Sequence, residues 1–424
     1  MERVDILVAG GGTAGLAAAA AFGALGLRVL CVDPSPPEPE ALPEAVPTDL
    51  RTTAILQPGR ALLERDGLWE GVEADATPLR VMRIVDAAGR SPVARDFEAG
   101  DLGDAPFGWN VPNRTLRAAF AARLRGLPGV ELRRAAFRSR LAREEEVVVA
   151  LSDGAQVAAR LLVGADGRNS AVREACGIGM RTERFGQTAL VFAVTHDDPH
   201  HGVSTEVHRR GGPFTLVPLP DVEGRPASSV VWMTDGPEAR RLLALSPEAF
   251  EREANLRAAG VQGHLTLAGA RQAWPIVTQV AQAMTARRTA LMAEAAHVVP
   301  PIGAQGLNMS LADLAALEAL ARERPAEVGA DPWLRDYARA REGDVRLRAL
   351  GIGLLNRASQ GGFGPLRALG IRAAHDLEPL RRGLMRLGLG LVCLGFSGQI
   401  VCSGLAGHGS TGGSSVPGMI RVPN

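Results

Sequence analysis

The sequence predicts an α/β protein in which a Rossmann-like nucleotide-binding domain is interrupted by a mostly antiparallel sheet and followed by C-terminal helices. Three observations lead to this fold class. A strand, a glycine-rich turn, a helix and a second strand follow one another over residues 4–33. Alternating apolar runs dominate residues 188–283, which is typical of antiparallel strands. Two long helical patterns then follow residue 306.

Size and composition fit this class and argue against several others. The 424 residues exceed one typical domain, and 46% apolar with 22% charged residues is usual for a globular protein. The net charge of +1 gives no reason to predict nucleic-acid binding. The four cysteines form no CxxC pair and the eight histidines are scattered, so no metal site is predicted. Because no basic region precedes an apolar one at the N-terminus, we expect a cytoplasmic protein.

The first βαβ unit carries a dinucleotide-binding pattern. The apolar run Val4–Ala9 predicts a buried strand, and the glycines of GxGxxG follow it directly. Gly10 makes the tight turn, Gly12 lets a pyrophosphate approach the backbone, and Gly15 lets helix and strand pack closely. Asp33 ends the second strand, where it can accept a hydrogen bond from a ribose hydroxyl. This context favours dinucleotide binding over a glycine-rich turn without a ligand.

Two further segments approach the predicted nucleotide site. Arg51 returns from a proline-rich stretch and could pair bidentately with a pyrophosphate, although an arginine standing alone is more often a solvated surface residue. The strand predicted at 157–163 runs into Gly164-Ala165-Asp166-Gly167. Asp166 therefore lies where open α/β sheets bind ligands. Taken alone, a plain Asp-Gly turn with Asn169 or Ser170 capping the next helix explains the segment better.

Residues 289–313 form a strand, a loop rich in Pro and Gly, and the start of a helix. Prolines stiffen the loop. The backbone N–H groups of Gly306, Leu307 and Asn308 have no partner within the helix, so they attract negative charge. Glu294 is predicted to end the strand and could accept hydrogen bonds from hydroxyl groups. Taken alone, an ordinary strand-to-helix corner is an equal alternative.

Three glycine-centred segments occur in a fixed order: GGGTAG at 10–15, GADGRNSAVR at 164–173 and AEAAHVVPPIGAQGLN at 293–308. Together they resemble the FAD-dependent aromatic-ring monooxygenases of the p-hydroxybenzoate hydroxylase type, over most of residues 3–386. Within that family, the chain is most similar to the ubiquinone-biosynthesis hydroxylases. The segments that carry this finer similarity lie at 51–55, 110–116 and 187–220.

The resemblance implies FAD contacts residue by residue. They are Gly10, Gly12 and Gly15 for the pyrophosphate, Asp33 for the adenosine ribose, Arg51 and Arg114 along the cofactor, Asp166 and Gly167 in a segment that serves FAD and the reduced nicotinamide, and Glu294, Gly306, Leu307 and Asn308 around the ribityl chain and ring. The chain departs from the family at Ala293-Glu294, where Gly-Asp is usual. A strained charged hydrogen bond there would cost about 1–3 kcal/mol of FAD affinity.

The expected chemistry is ring hydroxylation, because hard oxidation has to be supplied by a cofactor. We predict that NADH or NADPH reduces FAD, that O2 adds to give a flavin hydroperoxide, and that one oxygen atom enters the ring of a prenylated ubiquinone precursor. Pro301, Gly303 and Gln305 are predicted to position the flavin face, and no side-chain acid or base is assigned. His297 is expected to be structural rather than catalytic.

The predicted substrate wall is apolar. Trp274, Pro275 and Val217 are expected to line it, and FTLVPLP at 214–220 lacks the Ser/Arg carboxylate clamp of p-hydroxybenzoate hydroxylase. An apolar wall suits a prenylated phenol, although an ordinary sheet core is an equal alternative. Two other functions stay open: a soluble phenolic hydroxylase of aromatic catabolism, and a non-catalytic flavin-binding accessory protein of a quinone-biosynthesis complex.

The predicted organisation is discontinuous. We place an FAD-binding domain at 1–180 and 284–345, a substrate domain at 181–283, a C-terminal helical region at 346–403 and a disordered tail at 404–424. A helix predicted at 364–386 is basic enough to lie on the inner face of an anionic membrane, beside other quinone-biosynthesis enzymes. Its arginines are Arg367, Arg372, Arg381, Arg382 and Arg386.

Overall fold

The structure, a computed structural model, describes residues 1–37, 51–87, 93–209, 211–360 and 375–389. The strands are β1 (Glu2–Ala9), β2 (Val29–Asp33), β3 (Thr52–Leu56), β4 (Thr77–Leu79), β5 (Val81–Asp86), β6 (Val93–Glu98), β7 (Gly108–Pro112), β8 (Val130–Arg134), β9 (Phe137–Ala142), β10 (Val147–Leu151), β11 (Gln156–Gly164), β12 (Met180–His196), β13 (Val203–Arg209), β14 (Gly212–Val222), β15 (Arg225–Asp235), β16 (Leu265–Leu267), β17 (Gln272–Ala281), β18 (Thr285–Ala286), β19 (Thr289–Leu291) and β20 (His297–Val298). The α-helices are α1 (Thr13–Ala24), α2 (Gln57–Arg65), α3 (Asn113–Arg125), α4 (Ala171–Ala175), α5 (Gly236–Leu243), α6 (Pro247–Ala258), α7 (Gln305–Glu323), α8 (Asp331–Gln360) and α9 (Glu378–Gly388).

The first sheet contains the predicted nucleotide-binding core. Its central strands run in the order β19-β11-β1-β2-β8, and each neighbouring pair among them is parallel. Helix α1 lies on this sheet and packs against α3 and α7, which is why Leu16–Gly23 is buried on every side. The mixed α/β class and its Rossmann-like core are therefore confirmed.

The second sheet is mostly antiparallel, as predicted for residues 188–283. Its order is β20-β17-β12-β15-β14-β13-β5-β6, with β16 paired to β12. Helices α5 and α6 cover one face, where Phe192, Phe214, Trp232 and Phe250 form an edge-to-face aromatic cluster. The opposite face is turned toward the loop that precedes α7, since Ile302 packs against Ala189 and Met233.

Strand pairing differs from the predicted domain limits at one place. Residues 81–98 were expected to belong to the nucleotide-binding domain, but β5 pairs in parallel with β13 and extends the second sheet. The residues of β5 and β6 alternate in polarity in a way that fits either sheet, so their partner was not encoded locally. Residues Met1–Cys393 cluster as one compact unit, and the domain limits stay a prediction.

The third sheet and the C-terminal helices complete the described structure. Strand β7 pairs with β3 and β4 and so joins the 51–55 and 110–116 segments. Of the predicted helix 364–386, residues 375–386 are described and residues 378–386 belong to α9, while Arg367 and Arg372 lie outside the described residues. The predicted tail 404–424 lies outside them as well. No helix in the described part of the chain is long and apolar enough to cross a bilayer.

Candidate flavin and substrate site

Four predicted segments end at one edge of the parallel sheet. In the register of the strands, Val32, Ala9, Gly164 and Leu291 form a single row across β2, β1, β11 and β19. The glycine turn, Asp33, the Asp166-Gly167 turn and the loop before α7 each follow this row directly. Since the carboxyl ends of parallel strands are where such sheets bind ligands, the structure assembles one site from distant segments.

Glycine stands at the three positions of the first turn for different physical reasons. Gly10 has φ +114°, and a Cβ on it would lie 2.2 Å from the carbonyl oxygen of Ala165. A Cβ on Gly15 would lie 1.9 Å from the carbonyl oxygen of Gly10. A Cβ on Gly12 would meet no protein atom within 4 Å. Gly10 and Gly15 are therefore required by the fold, whereas Gly12 leaves open space at the start of α1.

The start of α1 is suited to an anion. Gly12, its N-cap, provides no side-chain cap, and the first turn contains no acidic residue. The unpaired N–H groups therefore face the open space above Gly12 with their partial positive charge. A helix start of this kind, with no side chain in the space beside Gly12, is where a phosphate group can bind.

Asp33 lies beside the same turn. Its two carboxylate oxygens accept hydrogen bonds from the backbone N–H of Gly11, at 2.6 Å, and of Ser35, at 2.7 Å. Arg117 adds a cation, because its Nη2 is 3.3 Å from the carbonyl oxygen of Ser35 and 3.5 Å from that of Gly11. Arg117 was not among the predicted residues. It lies one helical turn after Arg114, on the same side of α3, and this spacing could have identified it.

The Asp166 side chain turns toward its own helix rather than toward the glycine turn. Its Oδ1 accepts a hydrogen bond from the Ser170 hydroxyl at 2.5 Å, and its Oδ2 accepts one from the N–H of Val172 at 3.0 Å. Ser170 is the N-cap of α4. The Asp166 carboxylate therefore stabilises the start of α4, as in the alternative in which this segment caps the helix. The Ala165 backbone packs against Gly10, and Gly167 makes the turn with φ +84°.

Arg51 and Arg114 are brought together by the third sheet. The N–H of Asn113, at the start of α3, donates to the carbonyl oxygen of Arg51 at 3.0 Å. The guanidinium carbon of Arg51 lies 4.8 Å from the ring centroid of Trp274, a cation–π distance. Arg114 is exposed in the first turn of α3. Arg51 thus connects the predicted cofactor residues with the predicted substrate wall.

The segment 293–305 is called the flavin loop below. Its first residues correct one prediction, because β19 ends at Leu291 and Glu294 belongs to a 3-10 turn, Ala293–Ala295. Ala293 adopts φ +55°, a conformation that glycine takes more easily. The Glu294 side chain is 52% exposed, and its carboxylate lies 4.0 Å from Nε of Arg168. The departure from Gly-Asp therefore produces local strain and an exposed carboxylate at the edge of the site.

The start of α7 repeats the properties of the start of α1. A Cβ on Gly306 would meet no protein atom within 4 Å, and no side chain caps the helix. The Asn308 side chain fixes this turn, since it accepts from the N–H of Leu56 at 2.9 Å and donates to the carbonyl oxygen of Ala54 at 2.7 Å. Because α7 begins at Gln305, the N–H groups of Gln305, Gly306 and Leu307 lie in its first turn, and their binding to a ring that gains negative charge stays a prediction.

The three residues predicted to position the flavin face, Pro301, Gly303 and Gln305, differ in exposure and in contacts. Pro301 and Gly303 are exposed on the flavin loop, and Gly303 has φ +63°. Gln305 is buried, and its amide Nε2 donates to the carbonyl oxygens of Gly303 and Gly388, at 2.8 Å each. Arg348 donates to its Oε1 at 3.0 Å. The Gln305 side chain therefore holds the loop from behind and does not face the open site.

The second sheet supplies an apolar face to the flavin loop. Ile302 of the loop packs on Ile276 and on two neighbouring strands. Alternation and register place the following uncharged side chains on that face: Ala189, Val191, Val217, Val231, Met233 and Trp274. Pro275 pairs with Thr188 and so lies on the other face, because successive residues of a strand point to opposite sides. The predicted wall thus contains Trp274 and Val217 but not Pro275.

The flavin loop rests on a buried carboxylate. Asp313 of α7 is fully buried, and its Oδ2 lies 2.6 Å from Nε2 of His297 and 3.1 Å from the N–H of Ala293. Nε of Arg341, from α8, donates to its Oδ1 at 2.9 Å. Burial opposes the ionisation of Asp313, but His297 and Arg341 hold its pKa below the usual range. His297 is therefore a structural residue beneath the loop.

Helix α7 is also tied to α2 by a second acidic cluster. Asp66 and Glu318 are both buried, and Glu318 is clamped by Arg65 and Arg322. Burial, reinforced by the negative charge of Glu318, raises the pKa of Asp66 to about 6. Asp66 thus gains or loses a proton near neutral pH, behind the helix that begins at the flavin loop.

Comparison with known proteins agrees with this geometry. A family model described as an FAD binding domain matches residues 3–342. The ubiquinone hydroxylase UbiL of Rhodospirillum rubrum is 36% identical over 398 residues, which cover 92% of this chain and 90% of that protein. The 3-demethoxyubiquinol 3-hydroxylase of Escherichia coli is 28% identical, over 92% of this chain and 99% of that protein. The crystal structure of p-nitrophenol 4-monooxygenase PnpA from Pseudomonas putida shares the fold, with a TM-score of 0.74 and 19% identity over 92% of this chain and 99% of that one.

Proposed function

This chain belongs to the FAD binding domain family, and we propose that this FAD-dependent monooxygenase hydroxylates the aromatic ring of a prenylated ubiquinone precursor, using O2 and NADH or NADPH. The observation that carries the proposal is the single row of strand ends at Val32, Ala9, Gly164 and Leu291. It joins a dinucleotide site to a loop that faces an apolar sheet. The named relatives that act on ubiquinone intermediates support the substrate class.

The residues present fit FAD. Two helix starts offer uncapped N–H groups, and the glycines beside them, Gly12 and Gly306, leave space that no protein atom fills. Gly12 would hold the pyrophosphate, Asp33 the adenosine ribose, and the N–H groups of Gly306 and Leu307 the flavin ring. When bound, FAD supplies electron transfer and the activation of O2.

The protein's own contribution is to bind, orient and exclude water. The start of α7 stabilises negative charge next to it, because its N–H groups are preorganised and need no reorientation. Ile302, packed against Met233 and Ile276, excludes water from this contact between loop and sheet. The sheet's own side chains on this face are uncharged, so contact with them favours a prenylated phenol, which buries apolar surface, over a small carboxylate.

A genetic and a biochemical experiment test the proposal together. Deleting the gene in the source organism should make one quinone intermediate accumulate, and that intermediate identifies the missing hydroxylation. Purified protein should be yellow, and with this intermediate, isotope-labelled O2 and NADH or NADPH it should give a product carrying one labelled oxygen atom. Formation of only H2O2 with every quinone precursor tested would contradict the proposal. Comparing NADH with NADPH oxidation rates identifies the electron donor.

We extend the proposal to peripheral membrane contact, because a prenylated substrate partitions into lipid. Arg381 is paired with Asp101 at 2.9 Å and Arg382 with Glu378 at 3.0 Å, so these two arginines of α9 already have protein partners. An apolar stripe on the outer face of α8 supports the contact instead, consisting of Leu347, Leu350 and Leu354, which are 47%, 59% and 53% exposed. Leucines at this spacing lie on one side of a helix.

Liposome flotation tests this contact with matched variants. Full-length protein should float with anionic liposomes, and Leu350→Glu should reduce the floated fraction. Leu256→Glu, at an exposed leucine of α6, should leave it unchanged. Equal flotation of the two variants, or no flotation of the wild type, would exclude a membrane contact through α8.

A further inference from the structure

The buried carboxylate beneath the flavin loop is the beginning of a longer chain of polar contacts. Arg341, which binds Asp313, also donates from Nη1 to Asp344 at 2.8 Å. Asp344 accepts from Nε of Arg348 at 2.9 Å. Arg348 donates from Nη1 to Gln305 at 3.0 Å. Arginine and aspartate thus alternate along one side of α8, and each charge has an opposite neighbour.

This series of polar contacts connects the two ends of the flavin loop. Its first members hold the N–H of Ala293 and the ring of His297. Its last member, Gln305, holds the carbonyl oxygen of Gly303. Arg341 and Arg348 are seven residues apart on one helix, which is a spacing of about 10 Å. Helix α8 therefore sets the distance between the two ends of the loop.

Backbone strain is present at both ends of the flavin loop, where the polar contacts hold it. Ala293 and Ala304 have φ +55° and +56°, and neither is glycine. A left-handed conformation costs a residue with a Cβ roughly 1–2 kcal/mol. Such conformations persist only where the surrounding contacts enforce them. Beside Ala304 these contacts come from Asn308, whose Nδ2 donates to the Ala304 carbonyl oxygen at 2.7 Å, and from Gln305, which depends in turn on Arg348.

We propose that Arg348 is a positioning residue for the flavin loop: through Gln305 it fixes the loop's C-terminal end and joins it to Gly388 of α9. The proposal rests on the proposed function, since it assumes that FAD binds against this loop. Arg348 has no part in the open site, so its effect would pass through the loop. Without Arg348, residues 303–305 relax, and water gains access to the space that the loop shields.

The test compares Arg348→Met with Arg346→Met in the full-length holoenzyme. Arg346 is on the same helix and binds Glu342 on the surface at 3.2 Å, so it controls for the loss of one arginine. For each variant we would measure the quenching of bound-flavin fluorescence by iodide, the reduction potential of the bound flavin, and the melting temperature. Arg348→Met should raise the iodide quenching constant several-fold, because the loosened loop shields the flavin less, and it should shift the reduction potential. Arg346→Met should leave both values at the wild-type level.

A second variant keeps the test decisive if Arg348→Met folds poorly. Gln305→Met removes the same link from the loop side and leaves the Asp344–Arg348 pair intact. It should reproduce the higher quenching, and the double variant should add little, because both substitutions break one connection. A lower melting temperature with unchanged quenching and potential would overturn the proposal, since it would show a purely structural role. If wild-type protein binds no FAD, it is the proposed function that fails, which keeps the two failures distinct.

Discussion

Replacing Gly12 by alanine should separate cofactor binding from folding. In the structure a Cβ at this position meets no protein atom within 4 Å, and the backbone has φ −72° and ψ 173°, which alanine adopts freely. The protein without FAD should therefore keep its free energy of unfolding to within about 1 kcal/mol, because alanine has fewer unfolded conformations than glycine but is a weaker N-cap, and the two effects oppose each other.

The same substitution should weaken FAD binding. The added methyl group occupies the space where the pyrophosphate would contact the start of α1. Losing one hydrogen bond to a charged group costs about 1.5–3 kcal/mol, so the dissociation constant should rise roughly 10- to 150-fold. The stabilisation that FAD gives to the folded protein should decline accordingly, since it depends on the ratio of ligand concentration to dissociation constant.

Urea denaturation of the protein without FAD, and FAD titration followed by flavin fluorescence, would measure the two effects. Gly15→Ala is the matched control, because its Cβ would lie 1.9 Å from the carbonyl oxygen of Gly10 and should destabilise the fold itself. Unchanged FAD affinity in a stable Gly12→Ala protein would refute the placement of the pyrophosphate. A loss of more than about 2 kcal/mol of stability without FAD, beyond what a weaker N-cap costs, would refute the open space at the start of α1.

Three further outcomes follow from the structure. Burial and the Glu318 charge raise the pKa of Asp66 to about 6, so the folded protein loses stability as pH rises from about 4 to 6. In urea denaturation, Asp66→Asn should be about 1–3 kcal/mol more stable than wild type at pH 8 and equal to it at pH 4. The control Asp75→Asn, at an exposed residue, should match wild type at both pH values. A pH-independent difference would contradict this origin. Ala293→Gly should raise the melting temperature slightly by relieving φ +55°, and a lower value would show that the strain is not costly. Glu294→Asp should keep or tighten FAD in a titration, and weaker binding would mean that the turn has adapted to glutamate.

The first βαβ unit could be predicted because its information is local. The spacing of Gly10, Gly12, Gly15 and Asp33 is set by one turn and one helix, and it determines both geometry and ligand. The strand end at Gly164 was recognisable from its glycine-rich motif, whereas the third strand was predicted to end at Glu294 and ends at Leu291. Their alignment in one row then followed from the parallel sheet.

The remaining features depended on partners far away in the sequence. Alternation in β5 did not reveal that it pairs with β13, since the same pattern suits either sheet. Gln305 was predicted on the flavin side, but Arg348 and Gly388 draw its side chain to the opposite side. Asp313 and Arg348 were not predicted at all, because charged residues on a helix are usually solvated and only packing reveals which ones are buried.

The row of strand ends also determines when the site can form during synthesis. Its first members, at Ala9 and Val32, leave the ribosome early, whereas Leu291 and the start of α7 follow roughly 260 residues later, on the order of 15–50 seconds at usual translation speeds. Until then the edge of β11 at residues 162–164 has no β19 to pair with. A nascent chain can thus offer the glycine turn to the adenosine half of FAD but has no support for the flavin ring until residues 291–308 have been synthesised, so cofactor loading cannot be completed before then.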